Sequence, residues 1–324
     1  MQGFNQRFSD FPDYILGITH EIWEERGVDT LNHYYAPDIV VRSPASISTG
    51  NATVIDATHK TLHEFPDREL LGEDVIWCGS PESGLLSSHR ILSTATHIND
   101  GIYGPATGTK LIYRVIADCH AKNNVIDDEW LIRDQAAIVR QLGIHPREFV
   151  QHQLETKGAA ALTPFTPDND IAGPYTGRGN DNEWGERLAT TLHRLHARDE
   201  SVITDTYDRA AQLEYPGYVH AHGYAGSSAF WTSLFTAFPD AQFTIDHQIG
   251  RNDVNMPARA AVRWSLQGSH KGDGYFGTPT GAEVYIMGMT HAEFGSLGRA
   301  PVKLRREYTL FDETAVWMQI LKQG

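Results

Sequence analysis

Apolar positions along the chain recur with two different periods, and the change from one to the other marks out the elements. Tyr14, Ile15, Ile18 and Ile22 fall at helical spacing behind Ser9, Asp10 and Pro12, which predicts an amphipathic helix ending near Gly27. A short helical stretch over Asp29–Tyr35 follows, then a short strand Ile39–Val41 broken by Ser43-Pro44. A loop covers 46–53, and a helix over Val54–Phe65 is stopped by Pro66-Asp67. From Leu70 the period becomes that of strands: Leu70–Cys78, Leu85–His97, Lys110–His120 and Val125–Arg133, joined by turns at 79–84, 99–109 and 122–124. Helices first and a meander of long strands after them predict an α+β cone: a curved antiparallel sheet with helices over its concave face and a pocket between the layers.

The pattern occurs twice. A shift of 173 residues carries Thr96-His97 onto Ser269-His270, Gly104 onto Gly277 and Thr107-Gly108 onto Thr280-Gly281. It also carries Arg90 onto Arg263 and Phe65-Pro66-Asp67 onto Phe238-Pro239-Asp240. Ala241–Ile249, Ala258–His270, Ala282–Phe294 and Val302–Phe311 repeat the four strands. A longer turn around Gly295-Ser296-Leu297-Gly298 moves the offset to 178, so that Glu307-Tyr308 matches Glu129-Trp130 and Asp312 matches Asp134. Two copies make a duplicated domain rather than a solenoid, which needs about three stacked units. The expected division is 1–150 for the first cone, 151–183 for a helix end and irregular connector, and 184–324 for the second cone. The connector, rich in Gly, Pro, Thr, Asp and Asn over 158–182, reads as a tether or a lid.

Composition narrows the partners. A formal net charge of −14 argues against nucleic acid and against an anionic membrane surface, both of which call for clustered Lys and Arg. Two cysteines, Cys78 and Cys119, make no disulfide framework, and residues 1–10 carry no signal-peptide core, so the expected location is cytoplasmic. A small molecule is the expected partner, with no cofactor. The two halves are expected to pair within the chain as a pseudo-dimer, leaving a homodimer of the chain open; the face Val262, Trp264, Leu266 suits such packing.

Thr96-His97, Gly104, Thr107-Gly108, Ile126, Trp130, Asp134 and Gln141-Leu142-Gly143 together resemble the signature of SnoaL-like polyketide cyclases, a family of nuclear transport factor 2-like cones. The resemblance covers about residues 15–143 and is fainter in the second copy. It implies a cofactor-free acid/base cyclase, isomerase or lyase acting on a small carbonyl compound. In the resembling cyclases an Asp follows the Trp130 position and a His sits on the preceding strand. Here those positions hold Leu131 and Ala117 in the first copy, Thr309 and Thr290 in the second. A non-catalytic binding protein that kept only the pocket is therefore the alternative.

Strand alternation supplies a substitute acid. Glu129 shares a face with Leu131, and Glu307 with Thr309, so both glutamates are candidate bases. An apolar wall of Leu111, Tyr113 and Val115 would raise such a carboxyl toward neutrality; a place at the cone's mouth or in a salt bridge is the plainer reading. Arg90 and Arg263 resemble in strand position an arginine of epoxide hydrolases on this fold and are candidate anion stabilisers, with pairing to Glu129 or Asp134 as the alternative. Tyr113, Trp130, Asp134, Tyr215, His220, His222, Tyr308 and Asp312 are candidate substrate contacts. Asp134 and Asp312 also suit helix caps. His220-x-His222 lacks the further ligands of a metal site, so no metal is expected. His97 and His270 read as hairpin-closing residues, and Trp231 and Trp264 as core.

Overall fold

The computed structural model describes residues 1–296 and 300–323, so Leu297 and Gly298 of the lengthened turn lie outside the described residues. The first half runs α1 (Phe11–Trp23), α2 (Leu31–Tyr34), β1 (Tyr35–Ser43), β2 (Ser46–Thr49), α3 (Asn51–Glu64), β3 (Glu69–Ser80), β4 (Gly84–Thr96), β5 (Lys110–Lys122) and β6 (Val125–Arg133), closed by α4 (Gln135–Gln141) and α5 (Pro146–Lys157). The second half repeats it as α6 (Glu183–His196), α7 (Val202–Thr206), β7 (Tyr207–Tyr215), β8 (Val219–His222), α8 (Gly223–Ala237), β9 (Gln242–Arg251), β10 (Ala258–Ser269), β11 (Glu283–Gly295), β12 (Lys303–Phe311) and α9 (Glu313–Lys322).

Each half is an α+β unit built on a six-stranded sheet, ordered β2-β1-β6-β5-β4-β3 and β8-β7-β12-β11-β10-β9. The long strands are antiparallel, but β1 runs parallel to β6 and β7 parallel to β12, so the sheets are mixed. The parallel step follows from topology, because β1 and β6 are separated by the whole meander and meet only when the sheet curls. The stretch 46–49, expected as loop, forms β2 and pairs with the end of β1.

The helix signals operate as the sequence implies. Asp10 caps α1 by accepting from the Asp13 amide, and Phe11, Tyr14, Ile15, Ile18 and Ile22 are its buried face. His97 closes its hairpin: its amide donates to Thr109 and its carbonyl accepts from Thr107 and Gly108, while Nδ1 lies 3.2 Å from the Thr107 hydroxyl. His270 repeats this with Ala282, Thr280 and Gly281.

The two sheets meet through their outer faces, with Ile116, Ile132, Met287, Met289 and Leu310 in one apolar patch and Ile76, Cys78, Leu86, Ile249 and Ala261 in another. The expected packing surface Val262, Trp264, Leu266 lies on the other side, inside the second unit's own core. Residues between α5 and α6 are strapped to this junction rather than hanging free. The Phe165 amide donates to Pro44, Arg42 pairs with Asp170, and Tyr175 binds Asp128 with its amide and His247 with its hydroxyl at 2.6 Å. No helix among the described residues is long and apolar enough to cross a membrane.

Candidate functional site

A cavity of about 880 Å³ lies between the concave face of the first sheet and helices α1 and α3, within the size range of small-molecule sites. Its walls are mostly apolar, with Ile15, Ile18, Ile22, Leu70, Ile91 and Val115 among them. Strand alternation decides which polar groups reach it. On β6 the inward residues are Glu129, Leu131 and Arg133; on β4 they include His89 and Ile91.

Glu129 is 6% exposed and sits in this wall beside Tyr35, which hydrogen-bonds its carboxylate. Burial pushes the carboxyl up to about 7, with the Tyr35 bond pulling the other way and Asp128 adding to the rise. The group therefore exchanges a proton near neutral pH. His89 is held neutral, its pKa lowered to about 4 by burial, and its Nδ1 lies 3.2 Å from the Ser87 hydroxyl. In register it pairs with Ala117, which pairs with Leu131. The imidazole thus occupies the strand row in which the cyclase pair is missing. Sequence reasoning passed over His89, although its place next to Arg90 on a strand put it on the opposite face.

Two arginines, Arg68 and Arg133, also line this cavity. Arg68, 2% exposed, donates from Nε to Ser93 at 3.1 Å and lies 4.4 Å from the Trp23 ring centre and 5.7 Å from that of Tyr113. Desolvation lowers its pKa to about 10. Among the described residues its Nη1 has no hydrogen-bond partner, nor has the buried Nε of Arg133. Asp312 reaches this cavity from the second unit; it caps α9 through the Thr314 amide at 2.9 Å and hydroxyl at 2.7 Å, and burial raises it to about 7.

Four of the expected site residues lie elsewhere, because alternation turns them outward. Arg90 faces the junction of the sheets, pairs with Glu73 at 3.0 Å and stacks 3.6 Å from the centre of the Tyr308 ring. Arg263 pairs with Asp118 at 2.9 Å and stacks 3.8 Å from the centre of Trp130. Neither arginine meets Glu129 or Asp134 as a salt-bridge partner, and Trp130 and Tyr308 cover guanidinium groups rather than a ligand. Asp134 caps α4, accepting from Ala137 at 3.0 Å, and ties the units together by accepting from the Gly217 and Tyr218 amides at 2.9 Å. Tyr113 lies inside the core of the first unit.

The second unit repeats the tyrosine–glutamate pair but has no room around it. Tyr207 donates to Glu307 at 2.6 Å, and Glu307 also accepts from Trp231 Nε1 at 3.1 Å and Thr309 at 2.7 Å. At the repeat offset, Ala57, Thr58, Leu70 and Ile91 of the open cavity become Phe230, Trp231, Phe243 and Trp264, and Leu62 of the same helix becomes Phe235. These rings pack against one another, Tyr215 stacking on Phe230 at 3.8 Å and Trp231 meeting Trp264 at 6.1 Å. Gly288, where the first unit has Val115, makes room for Trp264: a Cβ there would stand 2.1 Å from the indole. Tyr215 is thus filler, not entrance. His220 lies on the exposed short strand β8, its ring 4.6 Å from Tyr218, and His222 is an exposed residue preceding α8.

Fold and site define a tandem pair of α+β units with one open pocket and one filled. Residues 188–300 match the family model described as the SnoaL-like domain, so the second unit carries a SnoaL-like domain, and the first unit repeats its topology. Among solved structures, the chain is similar to IdmH of Streptomyces antibioticus, with 20% identity over 41% of this chain and 98% of that one and a TM-score of 0.36. It is also similar to a SnoaL-like polyketide cyclase of Agrobacterium tumefaciens, with 20% identity over 41% and 97% of the two chains and a TM-score of 0.33. TsrD of Streptomyces laurentii gives 17% identity over 41% and 93%, with a TM-score of 0.35. No curated protein matches the chain in sequence.

Proposed function

We propose that the first unit is a cofactor-free acid/base site for a small carbonyl compound and that the second unit is its structural partner. The observation that carries this reading is the pocket glutamate whose pKa, about 7, matches the working range of a general base. Glu129 removes a proton from the carbon next to the carbonyl. Tyr35 holds the carboxylate in place, and the neutral imidazole of His89, on the neighbouring row, donates to the developing enolate oxygen. Apolar walls keep water from quenching that charge. Cyclisation, isomerisation and elimination all begin with this step, so the class of chemistry precedes the choice of product.

A binding protein without chemistry is the second reading, favoured by Leu131 and Ala117 standing where the resembling cyclases have their acid/base pair. The two separate in one experiment: proton–deuterium exchange at the carbon next to the carbonyl, followed by NMR over a panel of small ketones, keto esters and keto acids. Exchange catalysed by the protein and lost in Glu129→Gln supports the enzyme. A ligand drawn from extract and returned unchanged, with no exchange across the panel, supports the binding protein.

A further inference from the structure

We propose that Arg68 and Arg133 form an anion subsite in the cavity of the first unit, built to hold the carboxylate of a ligand whose remaining body is apolar. The proposal deepens the reading above and rests on it for the identity of the working cavity.

The case begins with unused donors. A guanidinium in a protein interior normally has its N–H groups bound, because a buried unpaired donor costs about 1–3 kcal/mol and a charged one more. Arg68 is 2% exposed, lines the cavity and leaves Nη1 unpartnered among the described residues. The Nε of Arg133, on the same wall, is likewise buried and unpartnered. Two such groups in the wall of one open cavity describe the half of a hydrogen-bonding arrangement that a ligand completes.

The nearby acids do not take up these charges. Glu64 is occupied by the amides of Ile102 and Tyr103, each at 3.1 Å, and lies 3.3 Å from His97 Nε2. Asp312 is engaged by Thr314. Lys60, also in the lining, is taken up by Asp56 at 2.6 Å.

The second unit provides the control. At the repeat offsets Arg68 becomes Ala241 and Arg133 becomes Phe311, both buried in an apolar core. The tyrosine–glutamate pair is present in both units, whereas the two arginines occur only where the cavity is open. Their role therefore follows the cavity and not the fold. Arg133 stands four residues from Glu129 on one strand face, about 13 Å between backbone positions, so one ligand can place its carboxylate at the arginines and its reacting carbon at the glutamate. Planar, forked donors suit a carboxylate.

Isothermal titration of the full chain with 1-naphthoate, 2-naphthylacetate and their methyl esters tests this. The expected result is binding of the acids at least about tenfold tighter than of the esters, with the preference removed in Arg68→Met and in Arg133→Met and partly kept in Arg68→Lys. Equal affinity for acids and esters, or no binding of either, overturns the subsite without needing any variant to fold. Should exchange chemistry be lost in Glu129→Gln while acids gain no preference, the subsite falls and the acid/base reading stands. An acid preference together with undiminished exchange in Glu129→Gln has the opposite meaning.

Discussion

The Tyr207 hydroxyl donates to the Glu307 carboxylate at 2.6 Å, and the same pairing recurs between Tyr35 and Glu129 in the first unit. The pair is common to both copies; its surroundings are not. Around Glu307, a tryptophan N–H and a threonine hydroxyl complete the hydrogen bonding, and aromatic rings take the space. Around Glu129 the space is a cavity. One copy thus holds an open cavity beside the pair and the other a filled core.

Filling the first cavity with the second unit's own side chain should abolish binding. Thr58 lies at the position of Trp231 and lines the cavity. Thr58→Trp is expected to remove ligand binding and exchange activity together while the chain remains folded, read by titration and circular dichroism. The reverse change, Trp231→Ala, is expected to lower stability by about 3–5 kcal/mol and leave activity in place.

The junction between the sheets should depend on matched charges. Asp118 is 1% exposed and holds Arg263, and the repeat relates this pair to His291 and Arg90, which meet at 3.4 Å. Asp118→Ala leaves a buried guanidinium without its counter-charge, a loss of about 3–5 kcal/mol, measured by urea unfolding. Adding Arg263→Met to that change should recover part of it, since the uncompensated charge is then gone.

Stability should carry the signature of Glu129 in its pH dependence. Its folded pKa, about 7, exceeds the ordinary carboxyl value of 4.5, so between these pH values the native state holds more protons than the unfolded one. The stability contributed by the protonated group is complete below about 4.5 and is lost as pH rises through about 7. His89 and His247, lowered to about 4 and about 3, act in the opposite direction below their ordinary value. The difference between wild type and Glu129→Gln cancels their part. It should shift in favour of the variant by about 2–3 kcal/mol from pH 4.5 to 8, in denaturation curves taken across that range.

Much of this was legible in the sequence, and the reasons differ from residue to residue. The helix-then-strand order and the repeat offset gave two α+β units because periodicity and turn residues are local signals. Glu129 and Glu307 followed from alternation along one strand. Trp130 and Tyr308, each adjacent to one of those glutamates, follow outward by the same rule. Arg90 and Arg263 enter the sequence reading through a resemblance in strand position, and strand parity does not say which face of β4 continues which face of β6. That depends on cross-strand register, which only the folded sheet supplies. Arg68 carried no signal at all: it sits between α3 and β3, and its unused donors arise from packing. The filling of the second unit was written in the repeat, in Phe230, Trp231, Phe235 and Trp264 opposite smaller residues.

The division of labour between the two glutamates is tested most directly by hydrogen exchange at carbon in paired variants. Glu129→Gln should reduce catalysed proton–deuterium exchange by about 10²-fold or more. Glu307→Ala should leave the exchange rate per folded molecule unchanged while lowering stability by about 2–3 kcal/mol. Wild-type exchange rates should rise with pH through about 7 and then level, tracking ionisation of Glu129. Exchange that survives Glu129→Gln, or that disappears in folded Glu307→Ala, contradicts the assignment of the chemistry to the first unit.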